Sequence, residues 1–512
     1  MVKDKVTSMM KPAADKKSVD MHQLLEGHSL IFASNRGPVE FRTDEDGTMT
    51  PHRGAGGMVS ALEAALRGVN ATWVASAMTP EDETVAHDSG GGAFAFPPED
   101  PTYSVRLIPI EGRAYHRYYD VISNLLLWFM QHYLWDIPFW PDVNEHTHRA
   151  WAEGYQPVNE LFAGELVKAA SESPGKPLLM LQDYHLYLCA RHIRERMPDA
   201  LIHHFTHSPW CQPDYLRLLP PYMRNELVEG LLSCDVVSFH TDRYATNFLW
   251  CCRQLTDHPV DLARGTVRVG ERRVLVRHHP ISIDYQGLAR EAGTDEVSRH
   301  RKEIRHAVGG RKMILRVDRV ELSKNILRGF KLYREFLNRY HEWWGKVVFL
   351  AFLYPSRLGL AVYRRYIADI EAEVEALNEE FATKSWQPVV LEIEDNYPRS
   401  LAGLCEYDVL MVNPLFDGMN LVSKEGAVLN KRNGVLLLSE NAGSFDELEG
   451  GVIPISPLDV EGGAGALNEA LLMNEGERAR RASELVRVVR GNTAADWLAG
   501  QVEDIMEAGR TT

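Results

Sequence analysis

The strongest limit on how this chain can fold is a repeated alternation of short apolar runs with longer amphipathic segments. SLIFASN (29–35), TWVASA (72–77), YSVRLIP (103–109), PLLMLQ (177–182), LIHHFTH (201–207) and DVVSFH (235–240) read as buried strands. Segments with 3.6-residue periodicity, such as 148–172, 186–197 and 241–255, lie between most of them. Strand-helix alternation of this kind predicts parallel sheet covered on both faces by helices. The rhythm restarts with KMILRVD (312–318), KVVFLAF (346–352), PVVLEIE (388–394), YDVLMVN (407–413) and GVLLLSE (434–440), with helices expected at about 325–341, 359–382, 398–405 and 419–430. HHPISIDYQGL (278–288), with Pro280, reads as the crossover between the two series.

A chain of 512 residues exceeds one ordinary core and divides into two or three domains. The expected division is an N-terminal α/β domain over 27–282 and a C-terminal one from 283. Residues 1–26 carry lysines and acids but no apolar run long enough for a signal peptide or a membrane span, and are expected to be a disordered tail. The net charge of −15 argues against nucleic-acid or anionic-membrane binding, so any phosphate must meet a local basic cluster. The six cysteines show no CxxC spacing and sit mostly in apolar runs, which fits reduced core residues in a cytoplasmic protein.

In open parallel sheets, ligands bind beyond the carboxyl ends of the strands. That rule directs attention to SNRGP, QDYH and THSPW in the first half, and to RVDRVELSKN, YPSR and FDGMN in the second. RGAGGMVSALEAAL (53–66) is a Gly-rich approach to a helix, which allows a close backbone approach to an anion but equally a plain tight turn. Arg319 and Lys324 leave a strand end together and suit a diphosphate, one as a fork of donors and one as a point charge. Asp183, His185 and His207 lack HxH, HExxH or Asp-rich spacing, so no metal site is expected. Tyr119 and Trp128 lie nine apart on an aromatic helical stretch, where most rings pack and a hydroxyl or indole N–H can also donate to an oxyanion. FDGMNLVSKEG (416–426) leaves Asp417 and Glu425 open to three readings: a catalytic pair, a helix cap with a surface charge, or two hydroxyl acceptors around an anion. A capping box would want Glu or Gln three residues after Asp417, and position 420 is Asn.

Taken together and in order, SNRGP, GAGG, YYDVISNLLLW, QDYHLYL, HHFTHSPW, RVDRVELSKN, YPSR and FDGMNLVSKEG resemble the trehalose-6-phosphate synthases of glycosyltransferase family 20, actinobacterial type, over about residues 29 to 505. The resemblance implies a GT-B fold, two Rossmann-like domains facing each other across a cleft, with the donor domain ending near 490 and a final helix in 491–512 crossing back to the first domain. It implies retaining transfer of glucose from a nucleoside-diphosphate glucose, UDP- or GDP-glucose, to glucose 6-phosphate, with no cofactor and no catalytic metal. Carried over by motif, Arg36, Tyr119, Trp128 and Arg357 match the acceptor-phosphate positions, and Arg319 and Lys324 the donor-diphosphate pair. Asp183 and His207 match contacts to acceptor and donor sugar. Asp417, Gly418, Met419, Asn420, Leu421 and Val422 match the turn on donor glucose and diphosphate, Glu425 the ribose carboxylate, and Gly56 and Gly57 the loop over the donor. Many relatives have Lys-Gly where this chain has Lys324-Asn325, though the Ser-Lys-Asn form also occurs among bacterial relatives, and a side chain there is expected to narrow the diphosphate loop. A sister enzyme with another acceptor and a non-catalytic sugar-nucleotide sensor are the competing readings. The donor base, read by backbone near Tyr397 and Pro398, and a homo-oligomeric state stay open.

Overall fold

The two series of apolar runs build two separate sheets. A computed structural model of the chain describes residues 21–44, 46–53, 57–66, 69–99 and 101–511. In the first sheet seven parallel strands lie in the order Arg272–His278, Val236–Phe239, Leu201–Phe205, Lys176–Gln182, His28–Ser34, Ala71–Ser76, Tyr103–Ile108. Antiparallel strands extend both edges, Phe94–Phe96 on one and Thr266–Val269 with Val260–Asp261 on the other. The second sheet is six parallel strands, Val389–Ile393, Val347–Tyr354, Lys312–Arg319, Val409–Val412, Val435–Ser439, Ile453–Ile455. Counted along the chain, the parallel strands of both sheets run 3-2-1-4-5-6, with a seventh added to the first. This is the Rossmann order, and it leaves a crevice at the carboxyl ends of strands 1 and 4, where the direction of winding reverses.

Alternate residues of each central strand feed opposite faces, which is why the runs read as continuously apolar. Ile31 and Ala33 join one apolar cluster, and Leu30 and Phe32 join the other. In the second sheet Leu315 and Leu350 are divided in the same way from Ile314 and Phe349. The last helix, Ala494–Thr511, sends Trp497, Leu498, Val502 and Ile505 into the cluster that holds Leu30 and Phe32 of the first sheet.

Several features depart from the sequence reading, among them the strand Ile453–Ile455 at the edge of the second sheet. Residues 1–20 of the expected tail lie outside the described residues, but Met21–Leu24 is a helical turn. Met21 and Leu25, one turn apart, are buried in the same cluster as the last helix, so their apolar face removes this stretch from the tail. The strand Arg272–His278 was not expected either. Only Val274, Leu275 and Val276 are buried, and arginines and a histidine flank them because this strand carries only short antiparallel strands on its outer side.

The crevice of the second sheet is organised by a buried guanidinium. Arg316 donates from Nε to Asp318 Oδ2 at 2.9 Å, from Nη1 to Asn413 Oδ1 at 2.7 Å and from Nη2 to Lys324 O at 2.6 Å. These bonds join the end of strand 1, the loop after it and the end of strand 4. Gly329 makes room, since a Cβ there would lie 2.3 Å from Arg316 Nη1. Removing one partner of a buried ion pair strands the other charge, so Arg316→Met is expected to cost about 3–5 kcal/mol, read as a lower urea midpoint of unfolding.

Candidate active site

The loops at the two crevices face each other. From the first sheet come Arg36 after Ser34, Asp183 after Gln182 and His207 after Phe205. From the second come Arg319 at a strand end, Lys324 in the short 3-10 turn Leu322–Lys324, Arg357 after Tyr354 and Asp417 after Val412. The halves touch directly. Tyr244 Oη donates to Asp417 O at 3.0 Å, Arg357 Nη2 donates to Tyr184 Oη at 3.2 Å, and the rings of Tyr133 and Phe416 lie 4.6 Å apart. Gly418 stands at the closest approach, because a Cβ there would sit 1.8 Å from His207 O.

One basic cluster joins Arg36 and Arg357 through aromatic side chains. Arg36 Nη2 donates to Tyr119 Oη at 3.2 Å, and Tyr119 stacks on His185 with ring centroids 5.8 Å apart. The Arg357 guanidinium lies 4.5 Å over the Trp128 ring and also donates to Tyr363. Burial pushes the Tyr119 hydroxyl up, but Arg36 and Arg357 outweigh it, and its pKa falls below the ordinary tyrosine value. That is the mark of a positive potential around this hydroxyl. The helix under this cluster is not α: Arg117–Trp128 is a π-helix. Nine residues are two and a half turns of an α-helix and would put Tyr119 and Trp128 on opposite sides. With i→i+5 bonding, at about 4.4 residues per turn, nine residues make two turns and both rings share a side.

The second cluster centres on Lys324 and Asp417, whose Nζ and Oδ2 are 2.5 Å apart, with Asn420 Nδ2 donating to the same oxygen at 3.1 Å. Burial alone would lower Lys324 and raise Asp417, yet each holds the other charged and the shifts run the opposite way. Arg319 is exposed beside them. Asn325 does not narrow this loop. It adopts φ 58°, a conformation Asn tolerates after glycine best of all, and turns its amide inward to donate to Asn413 O and Pro457 O at 3.1 and 2.8 Å. The helix Leu421–Leu429 is capped by Asn420, whose Oδ1 takes the Ser423 amide, so Asp417 is not its cap. The amides of Leu421 and Val422, in the first turn, have no intrahelical acceptor.

The remaining positions divide. Met419 is buried with the core of the first sheet, while Leu421 and Val422 pack against apolar clusters. These three can offer only backbone to a ligand. Gly57 opens the helix Gly57–Ala65, and Gly56 lies outside the described residues. His207 is bonded through Nε2 to Gln182 Oε1 at 2.9 Å and its backbone amide donates to Asp183 Oδ1 at 3.2 Å. Burial, then His240 and His204, keeps it neutral, leaving a ring nitrogen to accept from a hydroxyl. Asp183 has φ 67°, and burial raises its carboxyl to about 6. Burial and the neighbouring Glu291 raise Glu425 to about 7. Sequence reasoning missed Glu321 and His132. Glu321 is buried among Arg319, Arg357 and Ser356, and the strand whose apolar run was read from the sequence ends two residues before it. His132 bonds through Nδ1 to Trp128 O at 2.8 Å, and burial lowers it to about 4. Nothing in the aromatic run distinguishes it from the packing residues around it. Among the described residues no three His, Cys, Asp or Glu are grouped to hold a metal ion.

The family model of glycosyltransferase family 20 matches residues 28–507. The chain belongs to glycosyltransferase family 20. It is similar to the trehalose-6-phosphate synthase of Mycobacterium marinum, at 32% identity over 91% of each chain. It is also 33% identical to the bifunctional trehalose-6-phosphate synthase/phosphatase of Thermoproteus tenax, over 76% of this chain, and spans 52% of that protein's length. Among solved structures, it superposes on a UDP-forming α,α-trehalose-phosphate synthase from Burkholderia xenovorans in complex with glucose 6-phosphate. The TM-score is 0.79 and the identity 26%, covering 93% of this chain and 100% of that one. The two Rossmann-like sheets with their carboxyl ends facing are the GT-B architecture of this glycosyltransferase family.

A carboxyl whose folded pKa lies above its unfolded value costs stability progressively as pH rises from the unfolded value through the folded one. For Glu425 that window runs from an ordinary 4.5 to about 7. Glu425→Gln is therefore expected to match the parent in Tm at pH 4.5 and to exceed it at pH 8, measured by differential scanning fluorimetry.

Proposed function

We propose that the protein transfers glucose from a nucleoside-diphosphate glucose to glucose 6-phosphate, giving α,α-trehalose 6-phosphate and the nucleoside diphosphate. The observation that carries this reading is two basic clusters on facing loops of an acidic protein: Arg36, Tyr119, Trp128 and Arg357 at one, Arg319 and Lys324 at the other. Two phosphate-bearing substrates need two such clusters, and the loops that touch between them supply Asp183, His207 and Asp417 for sugar hydroxyls. The names of the Mycobacterium marinum and Burkholderia xenovorans relatives support the same acceptor and product.

In this reading the acceptor phosphate enters between Arg36 and Arg357, with Tyr119 Oη donating and Trp128 holding the Arg357 plane. The donor diphosphate takes Arg319 and the free N–H donors of Lys324, which keeps one donor on Asp417. The amides of Leu421 and Val422 add fixed positive ends of a helix dipole. Asp417 and His207 hold the donor sugar, and Asp183 a hydroxyl of the acceptor. Glu425, as a carboxylate, takes the ribose hydroxyls. The bond from donor C1 to the phosphate oxygen breaks, the acceptor's anomeric hydroxyl oxygen bonds to the same face of C1, and its proton passes to the departing phosphate oxygen. Configuration is retained with no covalent enzyme intermediate. The six buried, unpaired cysteines support a cytoplasmic setting, and no helix among the described residues is long and apolar enough to cross a membrane.

The test is a matrix of UDP-, GDP- and ADP-glucose against glucose 6-phosphate, other phosphorylated acceptors and free glucose, with products identified by NMR. Turnover with glucose 6-phosphate and none with free glucose is expected. Preference for another phosphorylated acceptor would make the protein a sister enzyme of the family. Preorganised donors aimed at developing charge are each worth about 3–4 kcal/mol, so Arg319→Ala and Lys324→Ala are expected to lower kcat about 100- to 1,000-fold. Arg36→Ala and Arg357→Ala are expected to raise the acceptor KM. A glycosyl-enzyme on Asp417 or Asp183, trapped and seen by mass spectrometry, would overturn the proposed route.

A further inference from the structure

Glu321 sits where the two basic clusters meet. Its Oε1 lies 3.2 Å from Arg319 Nη2 and accepts from Ser356 Oγ at 3.3 Å, while Oε2 lies 3.7 Å from Arg357 Nη1. The residue is 2% exposed. A lone carboxylate at that depth would take up a proton, but Arg319, Arg357 and Lys324 outweigh burial and hold it ionised, down at about 2.

The local fold does not account for this charge. The turn around it closes through backbone bonds, Lys324 N to Glu321 O at 3.0 Å and Asn325 N to Leu322 O at 3.1 Å. Arg357 is already placed by the Trp128 ring and the Tyr184 and Tyr363 hydroxyls. Electrostatically a carboxylate here opposes phosphate at both clusters, because it neutralises the cations that would meet it. What it supplies is geometry. Arg319 is long and exposed, and samples many rotamers unless something selects among them. One oxygen of the buried carboxylate faces Arg319 and the other faces Arg357, so the two guanidiniums share a single reference point.

We propose that Glu321 is a positioning residue that holds Arg319, on the donor diphosphate, and Arg357, on the acceptor phosphate, in one fixed relation, so that binding of either substrate prepares the site for the other. The proposal rests on the functional reading above and adds a coupling between the two substrates. Arg357, engaged by the acceptor phosphate, keeps Glu321 in place. Glu321 in turn keeps Arg319 directed at the gap where the diphosphate lies.

Glu321→Gln tests this, since it preserves shape and hydrogen bonding and removes the charge. UDP binding is measured by calorimetry without and with saturating glucose 6-phosphate. In the parent the acceptor is expected to tighten UDP by a factor within the usual allosteric range, about 5- to 150-fold. In Glu321→Gln, UDP alone is expected to bind at least as tightly as in the parent, because a repelling charge has gone. The tightening factor should fall to within about twofold of one, and kcat should fall about 100-fold through misplaced groups, while any fall in Tm from the unpaired Arg357 charge should be restored by Glu321→Asp. Glu321→Asp keeps the charge on a shorter stem and is expected to recover part of the factor. A tightening factor in Glu321→Gln equal to the parent's would overturn the proposal, as would a lowered Tm that Glu321→Asp fails to restore. Failure of the functional reading looks different: the parent itself would show no turnover with glucose 6-phosphate, whatever residue 321 is.

Discussion

The buried Arg316 guanidinium is the contact on which the second sheet's half of the candidate site depends. Burying a guanidinium is tolerable only when its donors are met, and here Asp318, Asn413 and the Lys324 carbonyl meet all three nitrogens. Those partners belong to two strands and the loop between the first strand and its helix, so satisfying Arg316 sets the path of that loop. With the Lys324 carbonyl held from below, its ammonium is delivered to Asp417, and Asn325 closes the loop from the other side through Asn413 and Pro457. A stability requirement of the second sheet thereby sets where the Lys324 and Asp417 side chains meet.

The same logic of strain and close contact runs through the interface between the sheets. The described non-glycine residues with positive φ are Tyr133, Asp183, Asn325, Arg357, Asn420 and Asn433, and four of these are loop residues of the candidate site. Such conformations persist only where surrounding contacts over-determine them. At Asp183 the contacts are its bonds from the His207 amide and Ser208, and at Arg357 they are the Trp128 ring and two tyrosines. The contact of Gly418 with the His207 carbonyl brings the second sheet's loop close to the first.

Much of this was legible in the chain. The alternation of apolar runs located most of the central strands within a residue or two, because a strand buried on both faces has no polar side to blur it. The rule that ligands bind at strand carboxyl ends then selected the loops carrying Arg36, Asp183, His207, Arg319, Lys324, Arg357 and Asp417. Other features were hidden for identifiable reasons. Arg272–His278 is masked by its charged flanks, and Met21 with Leu25 is too short a pattern to separate from a tail. Glu321 looks like a solvated acid in a charged loop until Arg357, from the next strand's end, arrives beside it. Asn325, expected to crowd the loop, instead turns its side chain away, a choice made by two carbonyl acceptors remote in sequence.

By itself, then, the sequence determined most of the central strands, which loops gather at their carboxyl ends and which ionisable side chains those loops carry, since each follows from local periodicity and strand polarity. Tertiary structure alone decided how those side chains are paired and aimed. The π-helical winding of Arg117–Trp128 puts Tyr119 and Trp128 on one side, where α-helical spacing would have separated them. The pKa values of Asp183 and Glu425 depend on burial that no local pattern encodes. The meeting of Arg319, Glu321 and Arg357 arises because hydrogen bonds and charges act over a few ångströms of space, whatever the separation along the chain.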